Sequence, residues 1–142
     1  MNRTLHVVLD TNILVSTMLK KDSLPGTIVD FCLDGLLIPV LDERILNEYS
    51  EVLRRPKFKF PEDIVKDFLL GLTSQAIFVE AGTLKTHFTD ESDRKFFEVA
   101  VEHRKEIETF LVTGNLRHFP SESFVVSPHE MLDIILNDDN GN

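Results

Sequence analysis

The 142-residue sequence has a single cysteine, no tryptophan and no run of about 18 uninterrupted apolar residues. Cys32 has no partner for an internal disulfide, and no Cys and His residues share the spacing of a zinc site. The missing apolar run excludes a membrane-spanning segment, and the N-terminus reaches Asp10 too early for a signal peptide. We therefore expect a protein of the reducing cytoplasm that has no membrane association.

Basic residues are also scarce, since 15 Lys and Arg stand against 24 Asp and Glu and give a net charge of −9. This balance excludes a broad phosphate-binding surface, so contact with nucleic acid would need a local basic patch or bound cations. The proportions of hydrophobic and charged residues, 42% and 27%, are typical of a globular chain. We expect one domain over residues 1–136 and a disordered tail over residues 137–142.

Short apolar runs alternate with helical patterns along the chain. The runs have the composition of strands that are buried on both faces, and several helical segments begin at a capping residue or a proline. This alternation predicts a single α/β domain with a mostly parallel central sheet and helices on both faces. The predicted strands are residues 5–9, 36–41, 76–81, 108–112 and 124–127. The predicted helices are residues 11–19, 25–34, 42–55, 61–75, 90–104 and 127–137.

Polar residues follow two of the predicted strands. Asp10 and Asn12 follow the first strand, and Thr113 and Asn115 follow the strand at 108–112. Open α/β sheets bind ligands at the carboxyl ends of their strands, which makes these side chains candidates for a site. Asp10 is also a favourable N-cap for the next helix, and the two roles are compatible because a carboxylate has two oxygens.

Asp93 faces inwards on the predicted helix 90–104. At about 100° per residue, it lies in the middle of an apolar stripe, whereas Glu98 and Glu102 fall on the opposite side, which we expect to face solvent. The stripe consists of Phe96, Phe97, Ala100 and Val101. An isolated buried carboxylate is costly, so an inward Asp93 indicates a cation or an ionic partner. The alternative is a helix cap formed together with Asp90, near the positive end of the helix dipole.

Glu48 borders the apolar stripe of the predicted helix 42–55, whereas Glu43 and Glu51 face water. A rim glutamate whose stem packs on apolar surface is the alternative to a functional role. Asp10, Glu48 and Asp93 would repel one another if they converged, unless hard divalent cations neutralised them. We therefore expect Mg²⁺ or Mn²⁺, which can bridge phosphodiester oxygens, activate water and hold an anionic substrate on an acidic protein.

Four motifs occur in order along the chain: VVLDTNILVS, LNEYSEVLRRPKF, DESDRKFFEVA and LVTGNLRHFP. With these motifs, the sequence resembles the PIN domain family from residue 5 to about residue 136. It is most similar to the bacterial branch described as toxin components of toxin-antitoxin systems. The resemblance implies a central parallel sheet with an acidic pocket at the strand ends.

The resemblance also implies a metal-dependent endoribonuclease that hydrolyses RNA and leaves 5′-phosphate and 3′-hydroxyl ends. The acids of the family fall on Asp10, Glu48 and Asp93, the same carboxylates that periodicity and strand ends indicate. Asn12 takes a small polar position two residues after the first acid, as a group that hydrogen-bonds a metal ligand. An antitoxin would insert an arginine against the three acids. The existence of an antitoxin, the RNA target and a homodimeric state stay open.

One position departs from the family pattern. Many members carry an aspartate two residues after the threonine that ends the later strand, and this sequence has Asn115 two residues after Thr113. An amide oxygen can bind a cation but carries no charge, so we expect a second metal ion to bind weakly. Asp90 and Glu91 are candidate substitutes for the missing acid.

Basic residues in two places are candidate RNA contacts. The denser run could hold phosphates while an exposed aromatic ring stacks on a base. It consists of Arg54, Arg55, Lys57 and Lys59, interleaved with Phe58 and Phe60. The alternative is a solvated loop whose phenylalanines pack into the core. Arg117 and His118 follow the last strand-end residues, either as phosphate contacts or as ordinary surface residues.

Three other functional classes are alternatives to the endoribonuclease. The first is a catalytically weak PIN-like module that binds RNA or a protein, because Asn115 weakens the metal site. The second is a phosphoaspartyl enzyme like the haloacid dehalogenases, which needs a second aspartate where this sequence has Asn12. The third is a nucleotide-binding Rossmann or P-loop enzyme, whose glycine signature does not follow the first strand. Metal-dependent cleavage that EDTA abolishes distinguishes the endoribonuclease from the binding module.

Overall fold

The computed structural model describes residues 4–140. Its strands are β1 (Leu5–Leu9), β2 (Leu37–Leu41), β3 (Ile77–Phe78), β4 (Thr109–Val112) and β5 (Val125–Val126). Its α-helices are α1 (Thr11–Leu19), α2 (Leu24–Leu33), α3 (Glu43–Leu53), α4 (Glu62–Ser74), α5 (Arg94–Arg104) and α6 (Pro128–Asn140). Short 3₁₀ turns occur at Pro56–Phe58, Glu91–Asp93 and Leu116–His118.

The five strands form one parallel sheet in the order β3-β2-β1-β4-β5. β1 is the central strand, and every residue of β1 and β4 is buried. Helices cover the sheet because a parallel sheet must bury both faces: α5 contacts β1, β2 and β4, while α2 contacts β2 and α6 contacts β4 and β5. The predicted α/β architecture is confirmed.

Capping residues set several helix boundaries. At the start of α6, the backbone N–H of Glu130 donates to Ser127 Oγ (3.1 Å), and that of Ser127 donates to Glu130 Oε1 (2.8 Å). This reciprocal pair is a capping box, which fixes the start of α6. Ser23 caps α2 by accepting from the backbone of Gly26, so α2 begins just before Pro25. α6 continues to residue 140, into the segment 137–142 for which we expected disorder; residues 141–142 lie outside the described part.

Two predicted elements are shorter than expected. The strand predicted over residues 76–81 is reduced to β3, an edge strand that pairs with the last residues of β2 and with nothing beyond. The helix predicted over residues 90–104 begins with the 3₁₀ turn Glu91–Asp93 and becomes α-helical at Arg94. None of the helices in residues 4–140 is long and apolar enough to cross a membrane.

The expectation that Glu98 faces solvent is wrong. Glu98 is buried, and its Oε1 accepts from Arg44 of α3 at 2.8 Å while its Oε2 accepts from the backbone N–H of Leu84, also at 2.8 Å. The physical reason is that α5 is covered on a second side by α3 and by the loop that contains Leu84. Helical periodicity predicts that this side of α5 faces water, because it contains charged residues. In the structure, the charge of Glu98 is paired with Arg44 instead.

Candidate active site

The strand order defines where a ligand would bind. The connection from β1 leads to β2 on one side, and β4 lies on the other side of β1. The order of strands therefore reverses between β1 and β4, and open α/β sheets bind ligands in the crevice at this point. Leu9 pairs with Val112 at the carboxyl ends of the two strands, so Asp10 and Thr113 are the first residues beyond them.

Asp10 is fixed in this crevice by β4. Its backbone N–H donates to the carbonyl of Val112 at 3.0 Å, and its Oδ2 accepts from the Thr113 hydroxyl at 2.8 Å. Thr113 Oγ1 in turn accepts from the backbone N–H of Asn115 at 2.9 Å. Asp10 stands at the N-cap of α1 without a side-chain capping hydrogen bond, so the hydroxyl of Thr113 is what orients its carboxylate.

Burial raises the pKa of Asp10, the hydrogen bond from Thr113 opposes this rise, and the negative charge of Glu48 adds to it. The contribution of Glu48 shows that a second acid lies near Asp10. Asp10 is thus a desolvated carboxylate that a cation would stabilise.

Glu48 reaches the crevice because α3 is tied to the end of β1. The hydroxyl of Tyr49 is buried and donates to the carbonyl of Leu9 at 2.6 Å. The neighbouring Glu48 accepts a hydrogen bond from the Thr11 hydroxyl through Oε2, and its Oε1 lies 2.6 Å from Lys95 Nζ. Both oxygens of the Glu48 carboxylate therefore have partners. Glu48 is partly exposed at the border of the buried face, as predicted.

Asp93 ends the 3₁₀ turn before α5 and faces inwards, as predicted. Its side chain is 13% exposed, and its Oδ2 is buried without a hydrogen-bond partner among residues 4–140. His118 Nδ1 lies 3.6 Å from this oxygen, beyond hydrogen-bond distance. Asp93 makes no capping hydrogen bond, whereas Asp90 accepts from the backbone N–H of Ser92 at 2.9 Å. The cap alternative therefore applies to Asp90 alone.

Burial raises the pKa of Asp93 to about 6, and the charges of Asp10 and Asp90 add to this effect. The charge of Asp10 thus acts on Asp93, and the charge of Glu48 acts on Asp10. The three predicted acids meet at one end of the sheet, although they come from elements far apart in the sequence.

Whether these residues fit a divalent cation depends on which oxygens are available. No group of three or more His, Cys, Asp or Glu side chains in the described part of the chain is arranged to hold a metal ion. Glu48 is engaged with Lys95 and Thr11, but the orphaned Oδ2 of Asp93 and the desolvated carboxylate of Asp10 are hard oxygen donors. The two aspartates therefore offer oxygen donors of the kind that divalent cations prefer, whereas both oxygens of Glu48 already have partners.

Sequence reasoning missed Lys95. Relative to Asp93 it falls about 200° round the helix, on the side assigned to solvent. Its side chain is nevertheless only 13% exposed, because Nζ turns back to Glu48 and to the carbonyl of Ser92. The sequence shows only that a lysine follows the inward Asp93 by two residues. Periodicity could not predict that this lysine pairs with Glu48 of α3.

The auxiliary residues are divided between the crevice and the surface. Thr113 is buried, and its hydroxyl donates to Asp10. Asn12 is exposed, and Asn115 is half-buried and begins the 3₁₀ turn Leu116–His118 without a side-chain cap. Glu91 is paired with Arg94 at 2.8 Å, so it offers little to a second metal ion.

The basic run after α3 is largely neutralised by neighbouring acids. Arg54 is paired with Glu62 at 2.7 Å, and Arg55 with Glu51 at 2.8 Å. Phe58 and Phe60 stack on each other with ring centroids 5.3 Å apart, and both are half-buried against the core. Lys57 lies over the Phe58 ring, and both Lys57 and Lys59 are exposed. The solvated-loop alternative accounts for these contacts, and Lys57 and Lys59 are the better remaining candidates for RNA.

The second pair of basic residues lies nearer to the acids. Arg117 and His118 are exposed, and His118 approaches Asp93. Both line a surface cavity of ≈ 380 Å³. The cavity is lined by Gly114, Asn115, Leu116, Arg117, His118 and Ser127. This cavity therefore presents two basic side chains, one of which lies beside Asp93.

The fold and the site define an α/β domain with carboxylates gathered at the switch point of a parallel sheet. The profile of the PIN domain family matches residues 6–117, and the chain belongs to this family. It is similar to "Uncharacterized protein MJ1680" of Methanocaldococcus jannaschii, with 27% identity over 114 residues, which cover 78% of this chain and 71% of that protein. This relative is archaeal and uncharacterised, so it lends no support to the bacterial toxin branch.

Proposed function

We propose that the protein is a metal-dependent nuclease that hydrolyses phosphodiester bonds of RNA. Membership of the PIN domain family supports a nuclease in general. The observation that carries the proposal is the buried, unpartnered Oδ2 of Asp93 at the end of the sheet where Asp10 also lies. The charge of Asp10 helps to raise the pKa of Asp93. A carboxylate in this state is stabilised by a cation, and a packing role does not require it.

Asp10 and Asp93 would hold the ion, for which Mg²⁺ and Mn²⁺ are the candidates. When bound, such an ion polarises a phosphoryl oxygen and lowers the pKa of a bound water. Thr113 fixes the orientation of the Asp10 carboxylate, and Tyr49 holds α3 and the end of β1 together. His118 is exposed beside Asp93 and lies within reach of a phosphate in the adjoining cavity.

The proposal is tested by cleavage of a labelled single-stranded RNA with Mn²⁺ or Mg²⁺, with and without EDTA. We expect cleavage that EDTA abolishes, and a loss of at least about 100-fold in Asp10→Asn and in Asp93→Asn. Glu102→Gln is the matched control, because Glu102 is an acid of α5 whose contact is a surface pair with Lys105. Cleavage at the wild-type rate by both asparagine variants would refute the site.

The alternative is a PIN-like module that binds RNA or a protein without efficient cleavage. The occupied carboxylate of Glu48 and the neutral Asn115 favour it, since both reduce the charge available to metal ions. Binding of RNA without cleavage at any Mn²⁺ concentration would support the module and contradict the nuclease.

A toxin role is a narrower proposal that rests on the sequence motifs. If the chain is a toxin, its expression should arrest growth in an Asp10-dependent manner. Its antitoxin should insert an arginine against Asp10 and Asp93, because the guanidinium group matches carboxylate geometry. Competition between Mn²⁺ and the antitoxin peptide in a binding titration tests this. Growth arrest by Asp10→Asn, or no competition, would contradict it.

A further inference from the structure

Lys95 is held by three groups at the start of α5. Its Nζ lies 2.6 Å from Glu48 Oε1 and donates to the carbonyl of Ser92. It also lies 4.9 Å from the centroid of the Phe96 ring, at the distance of a cation–π contact. With a side chain only 13% exposed, this ammonium group is fixed beside Glu48 and does not behave as a mobile surface lysine.

The ion pair changes what Glu48 can do. Oε1 faces Lys95 and Oε2 accepts from the Thr11 hydroxyl, so the carboxylate has a partner on each oxygen. An ammonium and a divalent ion compete for the same carboxylate, and each repels the other at contact distance. Among the buried side-chain oxygens of residues 4–140, the one with no hydrogen-bond partner is Oδ2 of Asp93.

We propose that Lys95 is a positioning residue that takes the place of a second divalent ion. It neutralises Glu48 and prevents this carboxylate from binding metal, so that the free protein binds one ion at Asp10 and Asp93. Asn115 also limits the charge available to a second ion, because its amide is neutral where many family members carry an aspartate. The inference rests on the proposed nuclease function for the presence of an ion, and deepens it by assigning the number of ions.

A direct contact between Lys95 and the RNA backbone is less consistent with these contacts. Phosphate-binding lysines act as accessible point charges. The ammonium group of Lys95 is instead covered and shared between Glu48 and a backbone carbonyl. Binding a phosphate would require it to leave both.

The test is a Mn²⁺ titration in the absence of RNA, in which the electron paramagnetic resonance signal of free Mn²⁺ counts the ions bound. We expect one ion per chain in the wild type and a second in Lys95→Met, because Glu48 then becomes available. The double variant Lys95→Met/Glu48→Gln should bind one ion again. Lys105→Met is the matched control, since Lys105 pairs with Glu102 on the exposed side of the same helix, and it should bind one ion.

Circular dichroism establishes that each variant is folded, and Lys95→Gln replaces Lys95→Met if the latter is not. Lys95→Arg keeps the positive charge and should keep the one-ion stoichiometry. Two equally tight ions in the wild type, or one ion in folded Lys95→Met and Lys95→Gln, would overturn the role of Lys95. Failure to cleave RNA despite one bound ion would instead overturn the proposed function and leave the inference intact.

Discussion

Replacing Asp93 with asparagine should stabilise the metal-free protein. Burial and the charges of Asp10 and Asp90 raise the pKa of Asp93 from 3.8 to about 6. Each pKa unit corresponds to about 1.4 kcal/mol, so the full shift would cost the folded state about 3 kcal/mol once Asp93 is ionised. Because residual exposure of the side chain allows solvent to screen the charge, we expect Asp93→Asn to raise the free energy of unfolding by about 1–2 kcal/mol at pH 7.5.

The pH dependence of the free energy of unfolding tests the sign of this effect separately. Between about pH 4 and pH 6 the unfolded chain releases the proton of Asp93 while the folded chain retains it, so the free energy of unfolding falls as the pH rises. The advantage of Asp93→Asn should therefore vanish below pH 4 and be complete above about pH 7. Urea unfolding in EDTA can be followed by the fluorescence of Tyr49, the single tyrosine in a chain without tryptophan.

Asp90→Asn is the matched control with the opposite sign. The carboxylate of Asp90 accepts hydrogen bonds from the backbone and side chain of Ser92, and these bonds lower its pKa. Removing the charge of Asp90 should therefore destabilise the protein. A destabilised Asp93→Asn at pH 7.5, or a gain that is equal at pH 4 and pH 7.5, would refute the reasoning.

Other predictions concern the supports of the site. Tyr49→Phe removes the hydrogen bond to the carbonyl of Leu9. It should lower the free energy of unfolding by about 1–2 kcal/mol in urea unfolding followed by circular dichroism, and it should weaken Mn²⁺ binding in a titration. Unchanged binding would contradict the anchoring role. Glu98→Ala should cost about 1–3 kcal/mol by the same assay, because it leaves the half-buried N–H of Leu84 without its acceptor and removes one of the two carboxylate partners of Arg44. A cost below about 0.5 kcal/mol would contradict this. Burial lowers the pKa of both His6 and His103, whose ring nitrogens lie 3.0 Å apart. Stability should therefore fall as the pH drops below about 6.5, and His6→Leu should reduce that fall in urea unfolding at pH 5.5 and 7.5.

The fold was largely predictable because local signals and tertiary structure agree. Apolar runs bounded by caps and prolines give the strand and helix order, and a buried strand that ends in an acid predicts Asp10 at the carboxyl edge of the sheet. Asp93 was predictable from helical periodicity, since its neighbours on the same face are core residues. The short β3 was not, because pairing at a sheet edge depends on the adjacent strand and not on apolar composition.

The contacts of charged residues could not be predicted from the sequence. Glu98 and Lys95 both fall on the side of α5 that periodicity assigns to water, and both are covered by α3. Their partners, Arg44 and Glu48, are about 50 residues away in the chain, and only the packing of two helices reveals them. The sequence pattern thus predicts the positions of Asp10, Glu48 and Asp93. It does not predict that Lys95 pairs with Glu48.

The most direct test of the metal site is a crystal structure of the protein soaked in Mn²⁺, with anomalous scattering recorded near the manganese edge. The account predicts one anomalous peak, within about 2.5 Å of carboxylate oxygens of Asp10 and Asp93, with Lys95 still paired to Glu48. A manganese ion bound by Glu48 with Lys95 displaced, or no ion at the two aspartates, would contradict it.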